Sequence, residues 1–90
     1  MVLKKKTKII NKLGLHARAA IKLTNVASCY QSTILVHYNN RVVNAKSLMC
    51  LMVLAVNCGS EIELIVTGED EREAMGAIED LIRNRFGEEE

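Results

Sequence analysis

The chain has 90 residues and a formal net charge of +1, with 49% hydrophobic, 3% aromatic and 26% charged residues. This length predicts one domain over residues 1–90 with an aliphatic core, and the near-zero charge argues against binding to nucleic acid or to an anionic membrane surface. Three cysteines without CxxC spacing are typical of free thiols in a reducing compartment, so we expect a cytoplasmic protein without disulfides or a zinc site.

The first half of the chain predicts a strand, a helix and a hairpin. Residues 2–10 alternate weakly between apolar and polar side chains, as in a half-exposed strand. Residues 17–28 have the apolar spacing of an amphipathic helix. Residues 32–38 are rich in β-branched and aromatic side chains, and Asn39 with Asn40 tolerates positive φ. We therefore expect a tight hairpin into a strand over residues 41–45.

A short apolar helix follows, with Ser47 as its N-cap. Its apolar run, residues 48–56, is nine residues long, whereas a membrane span needs roughly 20. We expect Leu51, Leu54 and Ala55 to form its buried stripe.

The last third predicts one strand and one helix. Residues 61–67 alternate clearly, which indicates a strand with one buried face. Residues 70–86 predict a helix that Gly87 ends, with Asp70 and Glu73 in the spacing of a capping box. The closing acidic run, residues 88–90, is interpreted as a solvated tail.

The element order is therefore β-α-β-β-α-β-α. Each strand has one apolar face that needs a cover, and amphipathic helices can supply it. The simplest arrangement is an α+β fold, in which a four-stranded antiparallel sheet carries three helices on one face.

The start of the first helix is unusual in its charge. His16 precedes the helix although histidine is a poor N-cap, and Arg18 puts positive charge in the first turn, where the helix dipole disfavours it. Both residues are well placed if the helix end receives an anion, because its first N–H groups are unpaired. These positive surroundings favour a neutral imidazole, a nucleophile that could accept a phosphoryl group whose oxygens Arg18 would bind. A surface histidine and a solvated arginine explain the same pattern, and the residues alone leave both interpretations open.

Three runs of sequence carry a resemblance to a known family. They are GLHARAA at residues 14–20, AKSLM at residues 45–49 and GEDEREAM at residues 68–75. Together they resemble the histidine-containing phosphocarrier proteins (HPr) of the bacterial phosphotransferase system, whose open-faced β-sandwich matches the element order above. The opening NKLGLHAR and closing RNRFGEEE also resemble the nitrogen-branch member of that family.

The resemblance implies a phosphocarrier rather than an enzyme with its own turnover, and it implies no metal or cofactor. His16 would accept a phosphoryl group on Nδ1 from an Enzyme I-type phosphohistidine and pass it to Enzyme IIA-type domains, in sugar uptake or in nitrogen and potassium regulation. Arg18 matches the arginine that steadies the phosphoryl group. Ser47 matches a serine that a dedicated kinase phosphorylates in some bacteria, although a plain N-cap explains it equally well. Ala19 stands where the family usually has proline, so we expect a slightly looser helix start.

A carrier needs an exposed apolar surface beside its histidine. The helical spacing leaves four apolar side chains outside the predicted core stripes, and we expect them to bind partners. They are Ile21, Leu48, Met49 and Met52. Methionine suits a surface that must fit several proteins, although Met52 fills a core gap in the alternative interpretation. We expect a monomer, with Cys50 buried and inert.

The competing interpretation is a ferredoxin-like regulatory or ligand-binding module without phosphotransfer, because many such domains share the order β-α-β-β-α-β. RNA binding is disfavoured, since no strand pairs two of the few aromatic residues for base stacking. A family member that keeps only a regulatory role is a third possibility, against which the retained His16 and Arg18 argue.

Overall fold

The computed structural model describes residues 2–90, and within them one sheet and three helices form the fold. The elements are β1 (Val2–Lys8), α1 (Ala17–Ser28), β2 (Thr33–Tyr38), β3 (Arg41–Asn44), α2 (Leu48–Leu54), β4 (Glu61–Thr67), α3 (Glu71–Arg83) and a 3₁₀ turn (Arg85–Gly87). The four strands lie in the order β1-β4-β2-β3, and every neighbouring pair is antiparallel. The predicted α+β class, an open-faced sheet covered by three helices, is confirmed.

The central strand β4 determines which face of the sheet is buried. Its side chains Ile62, Leu64 and Val66 are buried, and the register places Ile34 and Val36 of β2 opposite Val66 and Leu64. The helices pack over this face, with α3 against β1 and β4 and α2 against β3. The strict alternation of β4 therefore puts its charged side chains on the opposite, open face.

The β2–β3 hairpin is as tight as predicted. Asn39 and Asn40 both have positive φ, at 53° and 65°, as a two-residue type I′ turn requires. On the open face of the sheet, the antiparallel pairing sets His37 between Glu63 of β4 and Val42 of β3.

Helix α2 has the predicted start but ends earlier. Ser47 accepts a hydrogen bond from the backbone N–H of Cys50 at 3.4 Å, so it is the N-cap. The helix ends at Leu54 because Ala55 is left-handed, with φ 52°. Leu51 and Leu54 are buried as predicted. Ala55 and Cys50 are exposed, contrary to prediction, because Ala55 lies beyond the end of the helix and Cys50 lies on the side of α2 that is not buried. No helix within residues 2–90 is long and apolar enough to cross a bilayer.

Helix α3 ends at Arg83, so its predicted extension to Phe86 is wrong. Arg85 and Phe86 both have φ 55°, which reverses the chain direction. The reversal turns the Phe86 side chain into the core, where it is fully buried. Lys22 of α1 donates to the carbonyl oxygen of Phe86 at 2.6 Å, so the following residues run back along α1.

Asp70 does not form the predicted capping box, because its side chain makes no cap hydrogen bond to α3. Its carboxylate instead accepts the backbone N–H groups of Gln31 and Ser32, each at 2.9 Å, and the hydroxyl of Ser32. The hydrogen bonds from the Ser32 hydroxyl and from the Gln31 N–H, opposed by partial desolvation, lower the pKa of Asp70. Asp70 therefore joins the start of α3 to the turn before β2.

We expect Asp70→Asn to lower the melting temperature by several degrees at pH 7, because charge-assisted hydrogen bonds are lost. The folded pKa of Asp70 lies below the usual 3.8. Its stabilisation is therefore complete above that value and is lost as the pH falls through the folded pKa. Thermal melts of both proteins from pH 7 downward should show a gap that closes below about 3.8. A gap that stays constant at every pH would contradict the role of the charge.

Candidate functional site

A close backbone approach fixes the loop that leads to His16. Gly14 has φ 69°, and a Cβ there would lie only 2.5 Å from the carbonyl oxygen of Val56. The next residue, Leu15, is buried and donates its N–H to that same oxygen at 2.8 Å. Only glycine permits this approach, and the approach places His16 against the segment that follows α2.

His16 is the N-cap residue of α1, and its side chain makes no capping hydrogen bond. Its backbone is extended, and its carbonyl accepts the N–H of Ala20 at 2.8 Å, so the helix begins there as predicted. The first turn of α1 contains no acidic residue and includes the exposed Arg18. The amides of this turn thus have no capping side chain, and they carry the positive partial charge of the helix N-terminus. These conditions favour an anion.

Two depressions meet at His16. Its side chain, 27% exposed, lines a cavity of about 700 Å³ together with Lys12, Leu13 and Arg18. A smaller cavity of about 240 Å³ on the α2 side is lined by Leu13, His16 and Met52. Arg18 and Met52 therefore each line a cavity that includes the same imidazole.

Glu88 is the residue at this site that the sequence interpretation missed. Its Oε2 lies 2.5 Å from Nε2 of His16, and its Oε1 accepts a hydrogen bond from Nδ2 of Asn11 at 3.0 Å. The Glu88 side chain is only 15% exposed, so its assignment to a solvated tail is wrong. Desolvation raises the pKa of Glu88, but the hydrogen bonds from Asn11 and then His16 outweigh it and lower the pKa overall. Glu88 is therefore a carboxylate at neutral pH.

This contact also corrects the sequence-based view of the charges around His16. The sequence predicts only positive charge at this position, from the helix dipole and from Arg18. The structure adds a negative carboxylate at Nε2 of the ring. No local pattern signals it, because Glu88 lies 72 positions from His16 along the chain.

Residues 84–90, here called the C-terminal segment, are held beside His16 by contacts other than that of Glu88. Lys22 binds the carbonyl of Phe86 at 2.6 Å. The N–H of Lys12 donates to the carbonyl of Glu90, and the Lys12 ammonium lies 3.3 Å from the Glu90 carboxylate. The segment thus crosses the loop in front of α1.

The four apolar residues predicted to bind partners have different exposures. Met49, 73% exposed, projects furthest, Ile21 and Met52 are also exposed, and Leu48 is half-buried against the core. Helices α1 and α2, which carry them, contact each other. Two further exposed apolar side chains in this part of the chain were not predicted. They are Leu13 and Val53.

Comparisons with known proteins agree with this architecture. The family model PTS-HPr, described as the PTS HPr component phosphorylation site, matches residues 3–84. The Phosphocarrier protein HPr of Cupriavidus necator is 52% identical over 87 residues, covering 97% of this chain and 98% of the relative. The protein of the same name from Neisseria meningitidis serogroup A is 53% identical with the same coverage.

A solved structure gives the same result. The crystal structure of HPr-C-His from Thermoanaerobacter tengcongensis superposes with a TM-score of 0.94 at 44% identity, covering 98% of this chain and 99% of that one. A ferredoxin-like module without phosphotransfer is not favoured by these matches. The chain belongs to the HPr family of the phosphotransferase system, and it is a phosphocarrier rather than an enzyme.

Proposed function

We propose that His16 is the phosphorylated residue and that its Nδ1 is the nucleophile. The observation that carries this proposal is the difference in hydrogen bonding between the two ring nitrogens. Nε2 is bound to Glu88, whereas Nδ1 has no hydrogen-bond partner among residues 2–90. A neutral imidazole with its proton on Nε2 has its lone pair on Nδ1. The residue that carries this nitrogen stands at the uncapped start of α1, with Arg18 in the first turn. A helix N-terminus of this kind favours an incoming phosphoryl group.

The step is a displacement between two ring nitrogens. The Nδ1 lone pair forms a bond to phosphorus while the P–N bond of an Enzyme I-type phosphohistidine breaks, and that electron pair returns to the donor ring. The amides of the first turn of α1 and the guanidinium of Arg18 stabilise the phosphoryl oxygens. In the second transfer Nδ1 is the leaving group, and an Enzyme IIA-type domain accepts the phosphoryl group. Positioning and electrostatics supply the rate.

The partner surface on α1 and α2 consists of Ile21, Leu48, Met49 and Met52. It is supported by the exposure of Met49 and by the cavity that Met52 shares with His16. Donor and acceptor must each reach the same imidazole, so they bind this surface in turn. A single copy of the chain is sufficient for that exchange, and we propose that it acts as a monomer.

Ser47 is a regulatory phosphorylation site in this proposal, modified by a serine kinase. Its hydroxyl caps α2, and a phosphate there would favour the helix because the dipole attracts negative charge. The same phosphate would stand next to Leu48 in the partner surface. An apolar partner would have to desolvate this dianion in order to bind, so phosphorylation of Ser47 would weaken transfer to and from His16.

The phosphoacceptor can be identified by mass spectrometry. Incubation with Enzyme I, Mg²⁺ and phosphoenolpyruvate is expected to add one acid-labile phosphoryl group, about 80 Da, to the wild-type chain and none to His16→Ala. A label that persists in His16→Ala would contradict the proposal.

Arg18→Lys tests the role of the guanidinium. It keeps the charge but loses the planar fork, so its initial rate of phosphorylation should fall by about tenfold, a loss of about 1.4 kcal/mol in transition-state stabilisation.

The partner surface can be tested with a charge placed on α2. In phosphorylation by Enzyme I, Met49→Glu should raise the apparent KM of the reaction for this chain by about fivefold, which corresponds to roughly 1 kcal/mol of binding free energy. The melting temperature should change little, because Met49 is 73% exposed. Val42→Glu is the matched control, since Val42 is 54% exposed on the open face of the sheet. Equal effects of the two variants on KM would argue against a partner surface on α2.

For Ser47, the informative comparison separates charge from capping. Ser47→Asp keeps an acceptor at the helix start and should leave the melting temperature nearly unchanged, while the rate of phosphorylation at His16 falls by about tenfold because the charge meets the partner. Ser28→Asp adds the same charge at the far end of α1 and should leave the rate unchanged. If Ser47→Asp accepts phosphate as fast as the wild type, Ser47 is only a cap.

A further inference from the structure

We propose that Glu88, held by Asn11, is a positioning residue that sets the tautomer of His16 and thereby selects Nδ1 as the nitrogen that receives the phosphoryl group. This inference rests on the proposed function of His16. It assigns to the C-terminal segment a task in the transfer, although that segment lies far from the histidine in the sequence.

The orientation of Asn11 is fixed by an acceptor that cannot change its role. Asn11 is fully buried, and its Nδ2 lies 2.7 Å from the carbonyl oxygen of Gly14. A carbonyl can only accept, so the amide nitrogen, not the amide oxygen, must face Gly14. The second hydrogen of Nδ2 then points to Oε1 of Glu88 at 3.0 Å. Asn11 uses both of its donor hydrogens in this way, while its Oδ1 is buried and has no partner within residues 2–90.

The carboxylate transmits this orientation to the imidazole. Because Glu88 is ionised at neutral pH, both of its oxygens are acceptors. Oε1 is taken by Asn11, and Oε2 lies 2.5 Å from Nε2 of His16. An acceptor at that distance requires a hydrogen on Nε2, and a neutral ring with a proton on Nε2 has its lone pair on Nδ1. The donors and acceptors along Gly14, Asn11, Glu88 and His16 are therefore all determined: Asn11 donates to Gly14 and to Glu88, and His16 donates to Glu88.

Glu88 does not owe its place to His16 alone. The Phe86 side chain is buried in the core and its carbonyl is held by Lys22, two residues before Glu88. Beyond Glu88, the Glu90 carbonyl accepts the N–H of Lys12. The backbone on both sides of Glu88 is thus fixed by independent contacts, as the positioning of another group requires.

The same arrangement suits both directions of transfer. When Nδ1 gains the phosphoryl group, the proton stays on Nε2, so the ring becomes cationic. The Glu88 carboxylate balances this charge across the Nε2 hydrogen bond. When the phosphoryl group leaves, its electron pair returns to Nδ1 and the ring is again neutral. No proton has to move in either step, and the loop can remain in one conformation.

The test is the Glu88→Gln variant, in which the direction of donation can be reversed. Asn11 still presents a hydrogen, so the new amide oxygen would face Asn11 and the amide nitrogen would face Nε2. That nitrogen donates, and the imidazole proton would move to Nδ1. Imidazole ¹⁵N chemical shifts of the neutral ring should report a proton on Nε2 in the wild type and a shift toward the Nδ1 tautomer in the variant. The initial rate of phosphorylation by Enzyme I should fall by about tenfold, the lower end of the losses seen when a metal-ligating histidine loses the hydrogen-bond partner that fixes its tautomer.

Glu89→Gln is the matched control, because it removes the same charge from the adjacent, exposed side chain. It should keep the wild-type tautomer, rate and melting temperature. The positioning role is overturned if Glu88→Gln keeps both the wild-type ¹⁵N shifts and the wild-type rate. If the tautomer shifts as expected but the wild-type chain is never phosphorylated at His16, the proposed function fails instead, so the two failures are distinguishable.

Discussion

The close approach of Gly14 to the backbone after α2 is the constraint on which the site depends. A side chain at this position would collide with the carbonyl of Val56 and with the backbone of Asn57, only 2.9 Å from the added Cβ. The approach joins two segments about forty residues apart and lets Leu15 pair with Val56. As a result, the helix that begins at His16 and the helix that carries the proposed partner surface share one cavity. A looser connection would separate the proposed phosphorylation site at His16 from the proposed partner surface.

The reversal of the chain at Arg85 and Phe86 supplies the other half of the site. Two left-handed residues without glycine cost roughly 1–2 kcal/mol each. Complete burial of the Phe86 side chain offsets about 1.5–3 kcal/mol of this, and the hydrogen bond from Lys22 contributes about 1.5–3 kcal/mol because its donor is charged. These contributions balance to within a few kcal/mol. The strained turn persists because the core holds Phe86, and the turn in turn delivers Glu88 to the imidazole.

The electrostatics of the site are divided between the two nitrogens of one ring. In our proposal, the uncapped amides of α1 and the guanidinium of Arg18 attract the phosphoryl oxygens at Nδ1. At Nε2, the Glu88 carboxylate would balance the charge that the phosphorylated ring acquires. A carrier must release its phosphoryl group as readily as it accepts it. As proposed, the carboxylate would stabilise the cationic ring through Nε2 in transfer to and from His16, without adding a further cation around the phosphate.

The sequence by itself determined the features that depend on neighbouring residues. The bounds of α1, the hairpin at Asn39 and Asn40 and the alternation of residues 61–67 follow from local backbone preference and burial period. The uncapped start of α1 at His16 was visible for the same reason. Local patterns failed where a side chain's partner is distant along the chain. The carboxylate of Asp70 binds the turn before β2 instead of capping its own helix. The contact of Glu88 with His16 was decided by the tertiary structure alone, since it exists only after burial of residue 86 has turned the chain back across α1.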